Sequence, residues 1–397
     1  MERGLVDEAS YDAERAERRH HLSRRGLLRL GGAGVLAGAV APLLPQRALA
    51  FDRPIVKPLP GDLFIPRGTN AEMRWEAMRG QAYLTPTDRF FVRNHTATPE
   101  IDPASWRLRV FGSGVERELS LSYDDLLALP SVTVDRAVEC AGNARAFFDT
   151  QQGTPAPGTQ WTLGAVGVAR WTGVRLADVL DRAGLTRSAL DVMPRGLDSM
   201  EVRRPLPLER ALAEDTLLVH TMNGRTLPPD HGFPFRVLVP GWIGVANIKW
   251  LGSIEVSETP LSSPWNTTSY KLVGPAYPDE PLLTAQVVKS ALELPLPATL
   301  RPGRQLLTGR SWSGQGAIAR VEVSVDGGPW QRATLEPRNT ALAWRQWSLA
   351  WVARPGDHQV RVRATDTAGN TQPDTVPFNR DGYLFGAVVR HPVSVRP

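Results

Sequence analysis

Hydrophobic positions along this chain change their period several times. An apolar run at 30–44 comes first, short and rich in glycine. Residues 51–66 are Pro-rich and read as an extended lead-in. From there to about residue 257 the pattern is mixed. Short β-branched or aromatic stretches predict strands over 89–93, 106–111, 132–138, 191–193, 216–222 and 235–239. A short helix is read over 72–79, and apolar residues at helical spacing predict helices over 123–129 and 176–183. Strands and helices without regular βαβ alternation imply an α+β fold. Residues 258–284 are rich in Pro, Ser and Thr and read as a connecting segment. Beyond 283 the stretches 318–325, 344–351 and 358–364 alternate strictly, with turns such as Asp326-Gly327-Gly328 between them. That texture predicts an antiparallel β-sandwich. The expected organisation is a leader over 1–50, a mixed α/β domain over 51–282 and a sandwich over 283–397.

The leader carries Ser23-Arg24-Arg25-Gly26-Leu27-Leu28-Arg29, then the apolar run, then Ala48-Leu49-Ala50. This is the order of a twin-arginine export signal with a small-x-small cleavage site. The apolar run is too short for a stable membrane span. A periplasmic protein exported already folded is expected, and such cargo commonly carries a cofactor. The 397 residues are 42% hydrophobic and 22% charged, which excludes disordered, collagen-like and coiled-coil classes. A net charge of +5 is too mild to argue for nucleic acid. The single cysteine, Cys140, excludes an intramolecular disulfide, a CxxC pair and covalent c-type haem attachment. Redox chemistry here needs a cofactor held another way.

Three segments carry chemistry. In Glu139-Cys140-Ala141-Gly142-Asn143-Ala144-Arg145, the cysteine follows a predicted strand and precedes turn-forming residues. A lone cysteine is ordinarily a small buried hydrophobe. Beside Arg145, Cys140 is also suited to be a thiolate, a soft metal ligand. One cysteine builds no zinc or iron–sulfur site, so the other sulfur ligands would come from an organic cofactor. The second segment, Phe90-Phe91-Val92-Arg93-Asn94-His95, reads either as a solvated strand end or as an anion or cofactor pocket. In the third, His231, Arg236 and Lys249 are placed either to clamp a phosphate or to protect the edge of a hairpin.

Together, in this order and with a sandwich behind them, these segments resemble the sulfite oxidase family of molybdenum enzymes. Further matching stretches are Trp161 to Ala165, Ala169 to Leu176, Gly196-Leu197-Asp198 and Val323 to Gly328. The resemblance implies a mixed α+β domain holding molybdenum-molybdopterin, followed by an immunoglobulin-like domain that makes a homodimer. It implies Cys140 as the protein ligand to molybdenum. It implies that Phe91, Val92, Arg93, Asn94, His95, Asp198, His231, Arg236, Asn247, Ile248 and Lys249 hold the pterin and its phosphate. Arg93, Arg145 and Trp161 would then line the pocket of a sulfite-like oxyanion. Cations there offset the repulsion between substrate and an anionic metal–sulfur centre.

The chain departs from the family pattern in two places. The tyrosine expected near the metal aligns with Val202, where Arg203 or Arg204 is offered as a replacement donor. The second position after Asn143 carries the only arginine of an expected pair, because Ala144 precedes Arg145. If an arginine from the C-terminal half reaches the site, Arg345 and Arg390 are the candidates. No haem-ligating sequence is present, so electrons would leave to a separate cytochrome c. Other readings are a molybdopterin enzyme acting on another sulfur compound or a sulfoxide, and a non-enzymatic binding or assembly protein.

Overall fold

A computed structural model describes residues 54–397. The export signal read over 1–50 lies outside the described residues.

Alternation builds most of the first half as two five-stranded sheets over one core. In one, Ser131–Glu139 pairs antiparallel with Val166–Arg175, which pairs with Leu217–Met222; Arg225–Thr226 and Arg236–Leu238 complete it. In the other, the order is Leu119–Ser122, Arg107–Phe111, Leu251–Ser257, Asp191–Gly196 and Leu206–Pro207. Its one parallel pair joins Arg107–Phe111 to Leu251–Ser257. Leu108, Val110, Val174, Leu218, Val237 and Ile254 meet in the core between them. The helix Leu176–Ala183 adds Leu176, Val179, Leu180 and Ala183 to it, the 3–4 spacing of a single buried face. At eight residues it is the longest helix among the described residues, so the architecture is mostly sheet with few helices.

The second half is also two sheets sharing a core. Lys289–Leu292, Gly303–Trp312, Trp344–Ala353 and Thr334–Leu335 form one. Ala298–Leu300, Arg390–Val395, Gly356–Asp366, Ile318–Val325 and Gln331–Arg332 form the other. Leu307, Val321, Val323, Trp347, Val360 and Val393 fill the space between them. The pairing is antiparallel except for Ala298–Leu300 beside Arg390–Val395, which runs parallel. Those strands lie far apart in sequence, so no hairpin forces them to oppose.

Packing is continuous across residue 283. Trp312 and Trp344 lie in one cluster with Trp75, Phe90 and Trp161. Arg310 of the second half donates to the carbonyls of Gln81, Ala82 and Tyr83 and pairs with Glu293 at 2.6 Å.

Two predicted elements are corrected. Residues 72–79 form no α-helix; Asn70–Met73 is a strand paired with Phe64–Arg67, followed by the single 3-10 turn Trp75–Met78. Glu72 pairs with Ile65 across that hairpin, and its carboxylate accepts from the backbone N–H of Thr162 at 2.7 Å and from Arg67 Nε at 2.8 Å. Residues 89–93 form no strand, since Arg89 and Phe90 close a turn onto the carbonyl of Pro86. Phe90, Phe91 and Val92 are all buried, so their side chains do not alternate, and Val92 makes only an isolated bridge to Ala71.

Candidate active site

The strand Ser131–Glu139 ends where its last residue meets a tight turn. Cys140 donates its N–H to Ala165 O at 2.9 Å, and Asn143 donates back to Cys140 O at 2.9 Å. Ala144 sits in the left-handed region at φ 75°, bringing Arg145 round to close the turn. The 3-10 turn Gly244–Ala246 presses on this bend. A Cβ on Gly244 would stand 2.9 Å from Glu139 O, so only glycine permits the approach.

Cys140 forms part of the wall of a cleft lined by residues from several segments distant in sequence. Phe91, Arg93, Asn94 and His95 enter from the second segment. Asp198, His231 and Arg236 come from the two sheets and their connections. Asn247, Ile248 and Lys249 enter from the approach to Leu251–Ser257. Gly232, at φ 112°, lets two of these cations come together, because a Cβ there would lie 3.0 Å from both Arg236 Cβ and Lys249 Cβ.

The cleft is rich in buried positive charge. Arg236 donates to His231 O at 3.1 Å and Asn247 O at 3.2 Å, while its Nε is buried without a partner. Lys249 Nζ donates to Asn94 Oδ1 and to Asp230 O. Among the described residues no ion pair forms to Arg236 or Lys249. The Asp230 carboxylate is occupied by the N–H groups of Val56 and Lys57 and by the Thr98 hydroxyl. Burial brings Arg236 down to about 9 and pushes Lys249 well below the usual lysine range, with Arg236 adding repulsion. His95 and His231 are held well below the ordinary imidazole value by burial first, then by neighbouring cations. Burial also brings Lys57 to about 7 and raises Asp198. Such a cluster, with His231 Nε2 also buried and unbonded, is suited to an anionic group bearing several acceptors. Among the described residues no three His, Cys, Asp or Glu side chains converge as a metal cage. A metal at Cys140 therefore fits this site when the bound group brings further ligands of its own. The donor set matches a cofactor carrying both a phosphate and sulfur ligands.

Three expected site residues lie behind the cleft wall. Val92 is fully buried against Ile55 and Phe64. Trp161 packs edge-on against Phe91, with centroids 6.5 Å apart. Arg145 is 2% exposed, donates to Thr159 O at 3.1 Å and lies over the Tyr383 ring.

Val202 stands in the cleft wall where the family pattern places a tyrosine, and a tyrosine from a different segment, Tyr270 of the stretch read as a connector, enters the cleft as well. Tyr270 sits at φ 59°, with its hydroxyl 3.2 Å from His95 Nε2 and its ring stacked on Tyr383 at 5.1 Å. Arg204 does not replace it. Its buried guanidinium donates to the carbonyls of Trp265 and Leu283, holding the segment that carries Tyr270. Arg203 faces a separate outer groove. Arg345 is tied to Glu336 O and Ile318 O, and Arg390 is exposed; neither lines the cleft. Asp230 and Trp250 also line it and were not anticipated. The legible signal for Tyr270 was the pair Trp265 and Tyr270, bulky aromatics in an otherwise polar stretch.

Comparison with known proteins agrees with this chemistry. Residues 95–265 match the family model of the oxidoreductase molybdopterin binding domain, and 286–395 that of the Mo-co oxidoreductase dimerisation domain. Chicken sulfite oxidase is 38% identical over 345 residues, covering 80% of this chain and 74% of that protein. The rat mitochondrial sulfite oxidase is 39% identical over 359 residues, but the chain spans only 65% of its length. The NADH nitrate reductase of Ulva prolifera is 33% identical over 349 residues, 77% of this chain and 39% of that protein. The solved structure of the sulfane dehydrogenase SoxCD from Paracoccus pantotrophus shares the fold, with a TM-score of 0.74 at 23% identity over 93% of this chain and 98% of that one.

The cleft and the matches define a molybdopterin-dependent oxidoreductase. The chain belongs to the sulfite oxidase family, and its cofactor is molybdenum-molybdopterin.

The lowered imidazoles predict an acid-sensitive empty protein. An unfolded histidine titrates near 6.5, so below that pH the unfolded chain binds more protons than the folded one. The stability contribution is complete above about pH 6.5 and is lost as pH falls toward the folded values. Calorimetry of cofactor-free protein should show Tm dropping from about pH 7 to 5, and the loaded protein dropping less. A flat profile for the empty protein would contradict the assignment.

Proposed function

We propose that the protein oxidises a small sulfur oxyanion, with sulfite as the first candidate, to its next oxygenated product. The observation that carries this is the cleft itself: one thiol on its wall beside buried Arg236 and Lys249, neither in an ion pair among the described residues. For sulfite the balance is sulfite plus water giving sulfate, two protons and two electrons.

Cys140 would hold the metal. Phe91 to His95, Asp198, His231, Arg236 and Asn247 to Lys249 would hold the pterin and its phosphate, and the buried cations neutralise that phosphate without further reorganisation. When bound, the group supplies oxygen-atom transfer and the two-electron redox change. Arg93, whose Nη1 donates to Asn94 O at 2.6 Å, would bring positive charge to the substrate oxyanion at the cleft. Arg145 and Trp161 back that wall, Arg145 through Tyr383 and Trp161 through Phe91. Tyr270 brings a hydroxyl to the cleft wall, 3.2 Å from His95 Nε2.

The electrons would leave singly to a separate cytochrome c in the periplasm, after export by the twin-arginine signal. The mixed domain over 51–282 would carry the chemistry. The half over 283–397, an immunoglobulin-like sandwich on this reading, would make the homodimer, as the matched dimerisation domain supports. No helix among the described residues is long and apolar enough to cross a membrane.

The test is steady-state sulfite oxidation by molybdenum-loaded protein, with ferricyanide as acceptor so that the natural partner is not needed. Turnover at about 1–10³ per second, the ordinary range for enzymes, is expected. Absence of turnover in fully loaded protein would reject sulfite and leave another sulfur compound or a sulfoxide as substrate.

A further inference from the structure

Behind Cys140 lies a buried polar network that the cleft does not use. Glu139 Oε1 accepts from Asn143 Nδ2 at 2.9 Å and from Lys289 Nζ at 2.8 Å. Its Oε2 accepts from Trp312 Nε1 at 3.0 Å. Lys289 donates a second bond to Asn143 O at 2.9 Å, and Asn143 Oδ1 accepts from Ala165 N at 3.0 Å. Glu139, Asn143, Lys289 and Trp312 are all buried, none more than 3% exposed. None of the four lines the cleft.

The network spans the two halves. Glu139 and Asn143 bracket the Cys140 turn, and Asn143 N–H closes it onto Cys140 O. Lys289 and Trp312 face each other in register on neighbouring strands of the second half. Removing two charges from water is costly, and an apolar pair of similar size would commonly be as stable or more so. A charged pair adds direction: Glu139 Oε1 accepts from Asn143 and Lys289 and Oε2 from Trp312, while Lys289 donates to Glu139 and to Asn143 O. Partners one shell behind a metal ligand orient that ligand and tune the metal.

We infer that Glu139 and Lys289 are positioning residues for Cys140, acting through Asn143, and that the second half thereby sets where the sulfur stands. This rests on the reading of Cys140 as the metal's protein ligand. A pair that only stapled the halves together would alter stability alone; a positioning pair also alters the metal.

The test uses cofactor-loaded, full-length protein and reads the electron paramagnetic resonance g-values of the molybdenum centre, kcat per bound metal, and Tm. Lys289→Met should shift the g-values and lower kcat per metal by about 10–100-fold. Lys289→Gln keeps a donor and tolerates burial better; it should shift the g-values in the same direction by less, and it carries the test if the methionine variant does not fold. Arg310→Met is the comparison, because it breaks an equally buried contact between the halves away from the Cys140 turn. It should lower Tm while leaving g-values and kcat per metal unchanged. If the Lys289 variants change Tm alone, as Arg310→Met does, the inference is overturned. Cys140→Ser separates the underlying reading: unaltered g-values in that variant would reject the cysteine ligand itself.

Discussion

Cys140→Ser removes turnover, by more than about a hundredfold, while the chain still folds. Loss of a partner one shell from a metal already costs about 10–100-fold, and loss of the ligand itself should exceed that. A serine hydroxyl is a hard, weakly acidic donor in place of a soft thiolate. Serine is close to cysteine in size, and the turn is held by backbone bonds from Ala165, Asn143 and Arg145 that do not involve the sulfur. Tm should therefore move little. The measurement is ferricyanide-coupled turnover normalised to bound molybdenum, beside a thermal melt. Full activity in the serine variant would sink the assignment of Cys140.

Lys249→Met separates cofactor affinity from stability. This lysine is buried beside Arg236, and burial pushes it well below the usual lysine range. A methionine relieves that repulsion and desolvation, offsetting two lost hydrogen bonds of about 1 kcal/mol each to Asn94 and Asp230. Tm of the cofactor-free variant should stay at or above the wild-type value. Cofactor affinity should fall by about 10–100-fold, the worth of one charge-assisted hydrogen bond to an anion. Molybdenum and pterin content after purification, with Tm of the stripped protein, tests both halves. Wild-type cofactor content in the variant would exclude Lys249 from the binding set. This is the opposition expected where function demands a crowded, self-repelling site.

Much of the fold was legible where local pattern and tertiary environment agree. The helix Leu176–Ala183 matches its expected range because its four buried apolar residues share one face. Strands expected over 132–138 and 318–325 appear as Ser131–Glu139 and Ile318–Val325, since each lies in a sheet with one face on a core. Pattern failed where distant groups decide. Glu72 lies in a strand paired with Phe64–Arg67, and its carboxylate is held besides by Thr162, a partner about ninety residues away that no local reading supplies. The cleft was legible in its cations and its thiol, since rare residue types in dense motifs point to chemistry. Tyr270 was hidden by the polar composition around it; of the arginines offered for the missing tyrosine, Arg204 is consumed by backbone carbonyls and Arg203 faces another groove. Arg145 and Trp161 show a related limit: a motif names a neighbourhood without saying which of its side chains reaches the surface of the cleft.

The stretch 258–284 has the composition by which an engineer would choose where to splice a reporter, lengthen a hinge or exchange one module for another. Its backbone is gripped by Arg204 at Trp265 and Leu283, and between those two grips it delivers Tyr270 to His95. A graft placed there would land in the wall of the reaction chamber, so chimaeras of this chain should be joined elsewhere, at exposed turns such as Asp326-Gly327 that touch neither half's core.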